Sequence, residues 1–142
     1  MNTADQYLRT IYLLERRDGD RAATGDLADA LGVSPASANE MVGKLEAEGL
    51  VDHEKYAGAA LTAVGEARAR TVLKTYCILE RFLANVLEVE AYREEASTLE
   101  SVIDETVADR LDTIIDRREE CPECFDPEAM HCRYLEAPEA AD

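Results

Sequence analysis

The segment CPECFDPEAMHC, residues 121–132, gathers three of the chain's four cysteines and one of its two histidines. Cys121 and Cys124 form a Cys-x-x-Cys pair, a spacing that lets two thiolates close on one metal ion. With His131 and Cys132 they make a donor set suited to tetrahedral zinc or iron. Because His131 and Cys132 are adjacent, their simultaneous coordination is strained, and Asp126, a water or a dimer partner are alternative ligands. A reduced tail or a redox-active thiol pair is the other role open to these residues. Cys77 stands apart in an apolar run and reads as a small core residue. Four cysteines are too few for a disulfide scaffold.

A second stretch, GVSPASANEMVGKLEAEGLV at 32–51, carries a different chemistry, that of reading base edges. A helix entering the major groove needs short side chains at its N-terminal end, so that backbone comes close, and polar groups matching donors and acceptors on the bases. Ser34, Ala36, Ser37, Asn39 and Glu40 meet that need. Asn39 matches adenine, Glu40 the amino group of cytosine, and Ala36 the thymine methyl. Lys44, Lys55, Tyr56 and Arg21 are candidates for phosphate contacts, which fix register without reading sequence. The competing role is a winged helix used only to bind protein.

These residues need elements to hold them. From Ala4 to Leu14 the apolar positions recur at three and four, predicting an amphipathic helix ended by Asp18, Gly19 and Asp20. Thr24 is expected to cap a short second helix that buries Leu27, Ala28 and Leu31 and stops at Gly32. Ser34 caps a third helix with Pro35 at its first position, where the missing N–H is harmless. That helix is expected to bury Ala38, Met41, Val42 and Leu45 and to close at Gly49. Two helices joined by the tight LGVS turn form a helix-turn-helix. LVDHEKYAGAALT then predicts two short strands, a wing with Lys55 and Tyr56 near its tip.

Thr62 is placed to cap a fourth helix of about seven turns, whose apolar stripe runs from Ala69 to Leu87. A further helical pattern links Ala96, Leu99, Val102, Ile103, Val107, Leu111, Ile114 and Ile115. One small domain cannot cover that much apolar surface, and a symmetric dimer is expected to hide the surplus. The fold class expected is mainly α: an N-terminal winged helix-turn-helix over 1–65, an all-helical dimerisation domain over 66–118, and a Cys-rich C-terminal tail over 119–142.

The chain has 142 residues, 46% of them hydrophobic, and holds 31 Asp and Glu against 15 Lys and Arg, a net charge of −16. Twelve of the basic residues are Arg and only Lys44, Lys55 and Lys74 are Lys, which is the composition of a halophile. In molar salt the Debye length falls to about 3 Å, so acidity says little against nucleic acid. Most of these carboxylates read as a hydrated, solubilising face. No apolar run approaches the roughly 20 residues of a membrane span, and the start MNTADQYLRT lacks a signal peptide's apolar core, so a cytoplasmic protein is expected. No nucleophile has a neighbouring base, no Gly-rich phosphate loop occurs, and His53 and His131 are the only imidazoles, so no enzyme is expected.

ADQYLRTIYLLE, LADALGVSPASANEMVGKLEAEGLV, LTAVGEARA and ILERFLANVLEV together resemble the iron- and manganese-responsive repressors of the diphtheria toxin repressor and manganese transport regulator family. The resemblance spans residues 3 to about 118. It implies a winged helix, a helical dimerisation domain, palindromic double-stranded DNA operators and iron or manganese as effector, with no counterpart expected for the SH3-like domain of longer members. Carried over singly, the family's first-helix ligands fall on Gln6 and Arg9, and its fourth-helix His on Tyr76. The fifth-helix pattern becomes Ser97, Glu100 and Ser101. Only Glu100, and Glu80 at a second family site, remain strong ligands. Two carboxylates fall short of the four to six donors such a metal takes. The expected function is a homodimeric DNA-binding regulator, a repressor by resemblance, with its sensing ligands largely lost. A metal-independent regulator is one alternative, and a metal or thiol-redox module using the winged helix for protein contacts is another.

Overall fold

The computed structural model describes residues 3–100 and 102–115, together with the backbone pairing of 125–126 with 131–132. The chain divides into two compact units, residues 2–70 and the chain from Thr71 onward.

In the first unit, α1 spans Thr3–Asp18 and buries Tyr7, Leu8, Ile11, Tyr12, Leu13 and Leu14. It outlasts its apolar pattern by a polar turn in which Arg16 and Arg17 face the negative end of the helix dipole. Gly19, at φ +73°, ends it. Helix α2, Thr24–Leu31, departs from the expected capping: Ala23 is the N-cap and Thr24 is already helical. The cause lies one residue upstream. Ala22 exchanges both backbone hydrogen bonds with Ala59, at 2.8 and 2.9 Å, and this holds the chain extended until Ala23. Gly32, left-handed at φ +68°, stops α2 as expected.

Helix α3, Pro35–Ala47, starts as its sequence dictates, the Ser34 hydroxyl accepting from the Ser37 N–H at 3.1 Å. Ala38, Val42 and Leu45 are fully buried, whereas Met41 and Leu31, both expected in the core, are half-buried. Strands β1, Val51–Glu54, and β2, Gly58–Leu61, pair antiparallel with Glu54 opposite Gly58, leaving Lys55, Tyr56 and Ala57 as the tip of the wing. The wing is tied down on three sides: by the Ala22–Ala59 bridge, by Glu46 accepting from the His53 N–H at 3.0 Å, and by Glu15 accepting from the Leu61 N–H at 3.4 Å. Gly58 is obligatory here, because its φ is +107° and a Cβ would strike the Ala22 carbonyl.

Helix α4, Ala63–Arg81, is fixed to the end of α3 by a compact junction. The Thr62 N–H donates to the Leu50 carbonyl at 3.0 Å, its hydroxyl donates to the Gly49 carbonyl at 2.7 Å, and the same hydroxyl accepts from the Gly65 N–H at 3.1 Å. Gly65 presses so close to the Leu50 carbonyl that no Cβ fits. Arg68 binds Asp5 at 2.8 Å and Arg70 donates to the Tyr12 hydroxyl at 3.0 Å, which holds the first turns of α4 to α1.

In the second unit α4 runs into a π-helical turn, Phe82–Val86. Helix α5, Tyr92–Glu100, and helix α6, Glu105–Asp112, follow. The helical pattern from Ala96 to Ile115 is divided between these helices, because Asp104 caps a new one by accepting from the Val107 N–H at 2.9 Å. Cys77, Leu79, Leu83, Tyr92 and Ala96 form the core, with Tyr76, Leu99, Ile103 and Leu111 packed at its edge. Val86, Leu87, Val102, Val107 and Ile114 stay exposed. Strands β3, Phe125–Asp126, and β4, His131–Cys132, make a short antiparallel pair. No described helix is long and apolar enough to cross a membrane.

Two stability predictions follow from this frame. Gly65→Ala should lower stability in urea titration by about 1–3 kcal/mol, since backbone must move to admit the methyl. Gly43→Ala, in open space on α3, should raise it by up to about 1 kcal/mol. Equal effects would refute the close approach. Burial raises the pKa of Glu15, only partly offset by its bond to the Leu61 N–H. A carboxylate with a raised folded-state pKa destabilises the fold as pH climbs through that value. Glu15→Gln keeps an acceptor for Leu61 and removes the charge, so its Tm should exceed the parent's at neutral pH and converge with it below the ordinary glutamate range.

Candidate nucleic-acid interface and metal positions

Burial divides α3 into two faces. Ala38, Val42 and Leu45 point inward, while Ser34, Ala36, Ser37, Asn39, Glu40 and Lys44 are all exposed within the first unit. The N-terminal half of the helix therefore presents small and polar groups only, as entry into a major groove requires. Two of the serines are not equivalent. The Ser34 hydroxyl accepts from the Ser37 N–H and donates to the Ser37 hydroxyl at 3.0 Å, so Ser34 shapes the end of the helix while Ser37 keeps its O–H and one lone pair for a partner. Glu40 and Lys44 sit one turn apart with 3.8 Å between their charges, an exposed pair of little strength.

The wing displays its tip fully. Tyr56 is 95% exposed, in a left-handed backbone conformation at φ +67°, and the Lys55 ammonium lies 5.2 Å from the centre of its ring. A non-glycine residue in that region carries about 1–3 kcal/mol of strain, which the surrounding turn must hold. Lys55 and Tyr56 stand at the one place on the hairpin where side chains meet no strand partner.

Arg21 corrects the sequence reading that offered it to phosphate. Its guanidinium grips the wing, binding the Asp52 carboxylate at 2.6 Å, the Glu54 carboxylate at 3.4 Å and the Asp52 carbonyl at 2.9 Å. The bond to Asp52, above all, raises its pKa further. The sequence gives little warning of this, since Arg21 and Asp52 are 31 residues apart. Glu46 was likewise unremarked, and its carboxylate joins α3 to β1. His53, expected to be structural or solvent-exposed, is half-buried in β1.

The family metal positions look different from a ligand set. Glu80 and Glu100 are buried, at 0% and 3% exposure, and Arg81 beside Glu80 is buried at 2%. Each of these three makes polar, ionic or ring contacts within the protein, as buried charge requires. Gln6, Arg9, Tyr76 and Ser97 are half-buried, and Ser101 lies outside the described residues. By type, the Arg9 guanidinium and the Tyr76 phenol are not ligands for a divalent transition ion, which leaves the Glu80 and Glu100 carboxylates as the strong donors among these positions. Among the described residues no three His, Cys, Asp or Glu come together as a metal group. Cys121 and Cys124 lie outside the described residues, and of His131 and Cys132 only the strand pairing is described. Cys77 is buried in the core of the second unit, as expected.

Residues 1–59 match the N-terminal DNA-binding domain of iron-dependent repressors, and residues 62–125 match their metal-binding and dimerisation domain. The chain is 31% identical over 120 residues to the transcriptional regulator MntR of Lysinibacillus sphaericus, an alignment covering 84% of this chain and 86% of that one. It is 29% identical over 117 residues to MntR of Bacillus subtilis, covering 82% of each chain. Among solved structures it resembles the manganese regulator SloR, with a TM-score of 0.68, 34% identity, and coverage of 80% of this chain and 53% of that one. It also resembles the metal-dependent regulator MtsR, with a TM-score of 0.77, 26% identity, and coverage of 94% and 60%. The chain thus spans little more than half the length of these solved relatives. With a matched DNA-binding half, a matched dimerisation half and relatives aligned through both, it belongs to the iron-dependent repressor family of helix-turn-helix transcriptional regulators, that of the diphtheria toxin repressor and MntR.

Proposed function

We propose that the chain represses transcription as a homodimer, each protomer laying the N-terminal half of α3 in the major groove of one half of a palindromic operator. The observation that carries this reading is the solvent-facing row of Ala36, Ser37, Asn39 and Glu40 on a helix whose opposite face is fully buried. Asn39 reads adenine and Glu40 reads cytosine, while Lys55 and Tyr56 at the wing tip and Lys44 on α3 contact the backbone. The exposed Val86, Leu87, Val102, Val107 and Ile114 of the second unit supply apolar surface for a twofold partner. Dimer geometry then selects half-sites at helical-turn spacing. Solved relatives are named for manganese, and one has bound Zn²⁺.

Metal enters this reading by a changed route. Glu80 and Glu100 are the only strong donors left at the family positions, too few in this reading to sense metal, so operator binding is independent of added Mn²⁺ or Fe²⁺. The replacement is the C-terminal cluster. Pairing of Phe125–Asp126 with His131–Cys132 returns the chain alongside the residue that follows Cys124. Cys121, Cys124, His131 and Cys132, or Asp126 in place of one of them, then hold Zn or Fe, which orders the tail.

Footprinting on genomic fragments should show protection of a palindrome. Asn39→Ala and Glu40→Ala should each lower discrimination at one base position per half-site by about 1–3 kcal/mol, whereas Lys55→Ala should weaken all sequences alike. No selective protection at any salt would refute the operator reading. Protein purified without chelator should carry about one Zn or Fe per chain by elemental analysis. A Cys121→Ser, Cys124→Ser variant should lose it, and full retention would assign the metal elsewhere.

A further inference from the structure

The surface that would meet DNA is short of positive charge in a way that composition alone does not show. On α3 and the wing, Glu40, Glu46, Glu48, Asp52 and Glu54 are exposed, against Lys44 and Lys55, with Arg21 behind the wing. Arg21 is engaged by Asp52 and Glu54, and Lys44 stands 3.8 Å from Glu40. Among the described residues of these elements, Lys55 is the basic group to which no carboxylate is paired, and its own neighbour is the Tyr56 ring. Proteins that neutralise 6–10 phosphates with Lys and Arg release as many condensed cations, so their affinity falls with salt along a log–log slope of about −5 to −9.

We infer that this interface binds the duplex together with its cations: monovalent ions stay between the carboxylates of α3 and the wing and the facing phosphates, where other repressors place basic side chains. The inference rests on the operator reading above. Lys44 and Lys55 of two protomers displace at most about four counterions, giving a limiting slope near −4. Each carboxylate carried to the duplex sets a like charge against phosphate within a Debye length, and a cation must remain or be taken up to relieve it. That uptake offsets the release. Contacts that release no counterion hold the complex: base-edge hydrogen bonds from Asn39 and Glu40, the Ala36 N–H at the α3 N-terminus, and the Tyr56 ring.

The ion pairs of Arg21 make the inference separable. Asp52→Asn with Glu54→Gln removes two of these carboxylates and releases the guanidinium they hold, while Asn39, Glu40, Lys44, Lys55 and Tyr56 are left in place. Fluorescence anisotropy with labelled operator, from about 0.1 to 2 M KCl, reads the slope directly. The parent protein should give a slope shallower than about −4, near zero or positive, and the double variant, with two fewer negative charges on each protomer, should be steeper by up to about 4 per dimer. A parent slope of −4 or steeper, or a double variant that matches its parent, overturns the inference while leaving selective DNA binding intact. Absence of selective binding at every salt overturns the operator reading itself. Circular dichroism melts run beside the titrations verify that the double variant folds as its parent does.

Discussion

The close approach of Gly65 to the Leu50 carbonyl is the constraint on which the rest of the first unit depends. Helix α3 is followed, after its C-cap Glu48, by Gly49, whose left-handed backbone turns the chain outward. Thr62 gathers the carbonyls of Gly49 and Leu50 with its hydroxyl and N–H, and that same hydroxyl caps α4. A side chain at 65 would lift α4 away from Leu50 and open all three bonds. The helix that emerges, α4, continues without interruption into the second unit. Helices α3 and α4 are thus joined within the first unit by a short, hydrogen-bonded junction. Three hydrogen bonds and one missing methyl group hold that joint.

The wing obeys the same logic of backbone contact. Ala22 supplies a one-residue strand to β2, Glu46 and Glu15 accept the N–H groups that β1 and β2 would otherwise turn to solvent, and Arg21 clamps both ends of β1. A two-stranded hairpin is marginal alone in water. Here it is held by α1, α3 and the loop before α2, which lets its tip keep Tyr56 in a strained, fully exposed conformation.

Elements whose signals are local were legible in the sequence. Ser34–Pro35 marks the start of α3 and Gly49 its end, because capping depends on the residues at that position and little else. The wing strands were legible from alternation and a central glycine. Thr24 was misread as a cap because the restraint on Ala23 comes from Ala59, 37 residues after Ala22, and nothing within the segment announces it. The helical pattern from Ala96 to Ile115 runs through a break for a related reason: apolar spacing continues across Asp104, and only its capping bond shows that the helix restarts. Charges were legible as totals but not as pairs. Arg21 reads by type as a phosphate ligand and only the fold sets Asp52 beside it, and Glu80–Arg81, within an apolar stripe, give no hint that both side chains are buried.

Burial of Glu80, Arg81 and Glu100 bears on how such a regulator holds its shape. In a sensor, carboxylates at an interior site are stable only when a cation arrives, and that dependence is what couples metal to conformation. Arg81, next to Glu80 and buried like it, sets a fixed charge where a sensor takes a mobile one, present at every metal concentration. In the proposed function, sensing therefore resides where donors gather by type and spacing, in the cysteine-rich segment. The same exchange of mobile ions for fixed groups runs in reverse at the DNA face. There fixed cations are engaged by the protein's own carboxylates, and mobile ones from solution take their place against phosphate.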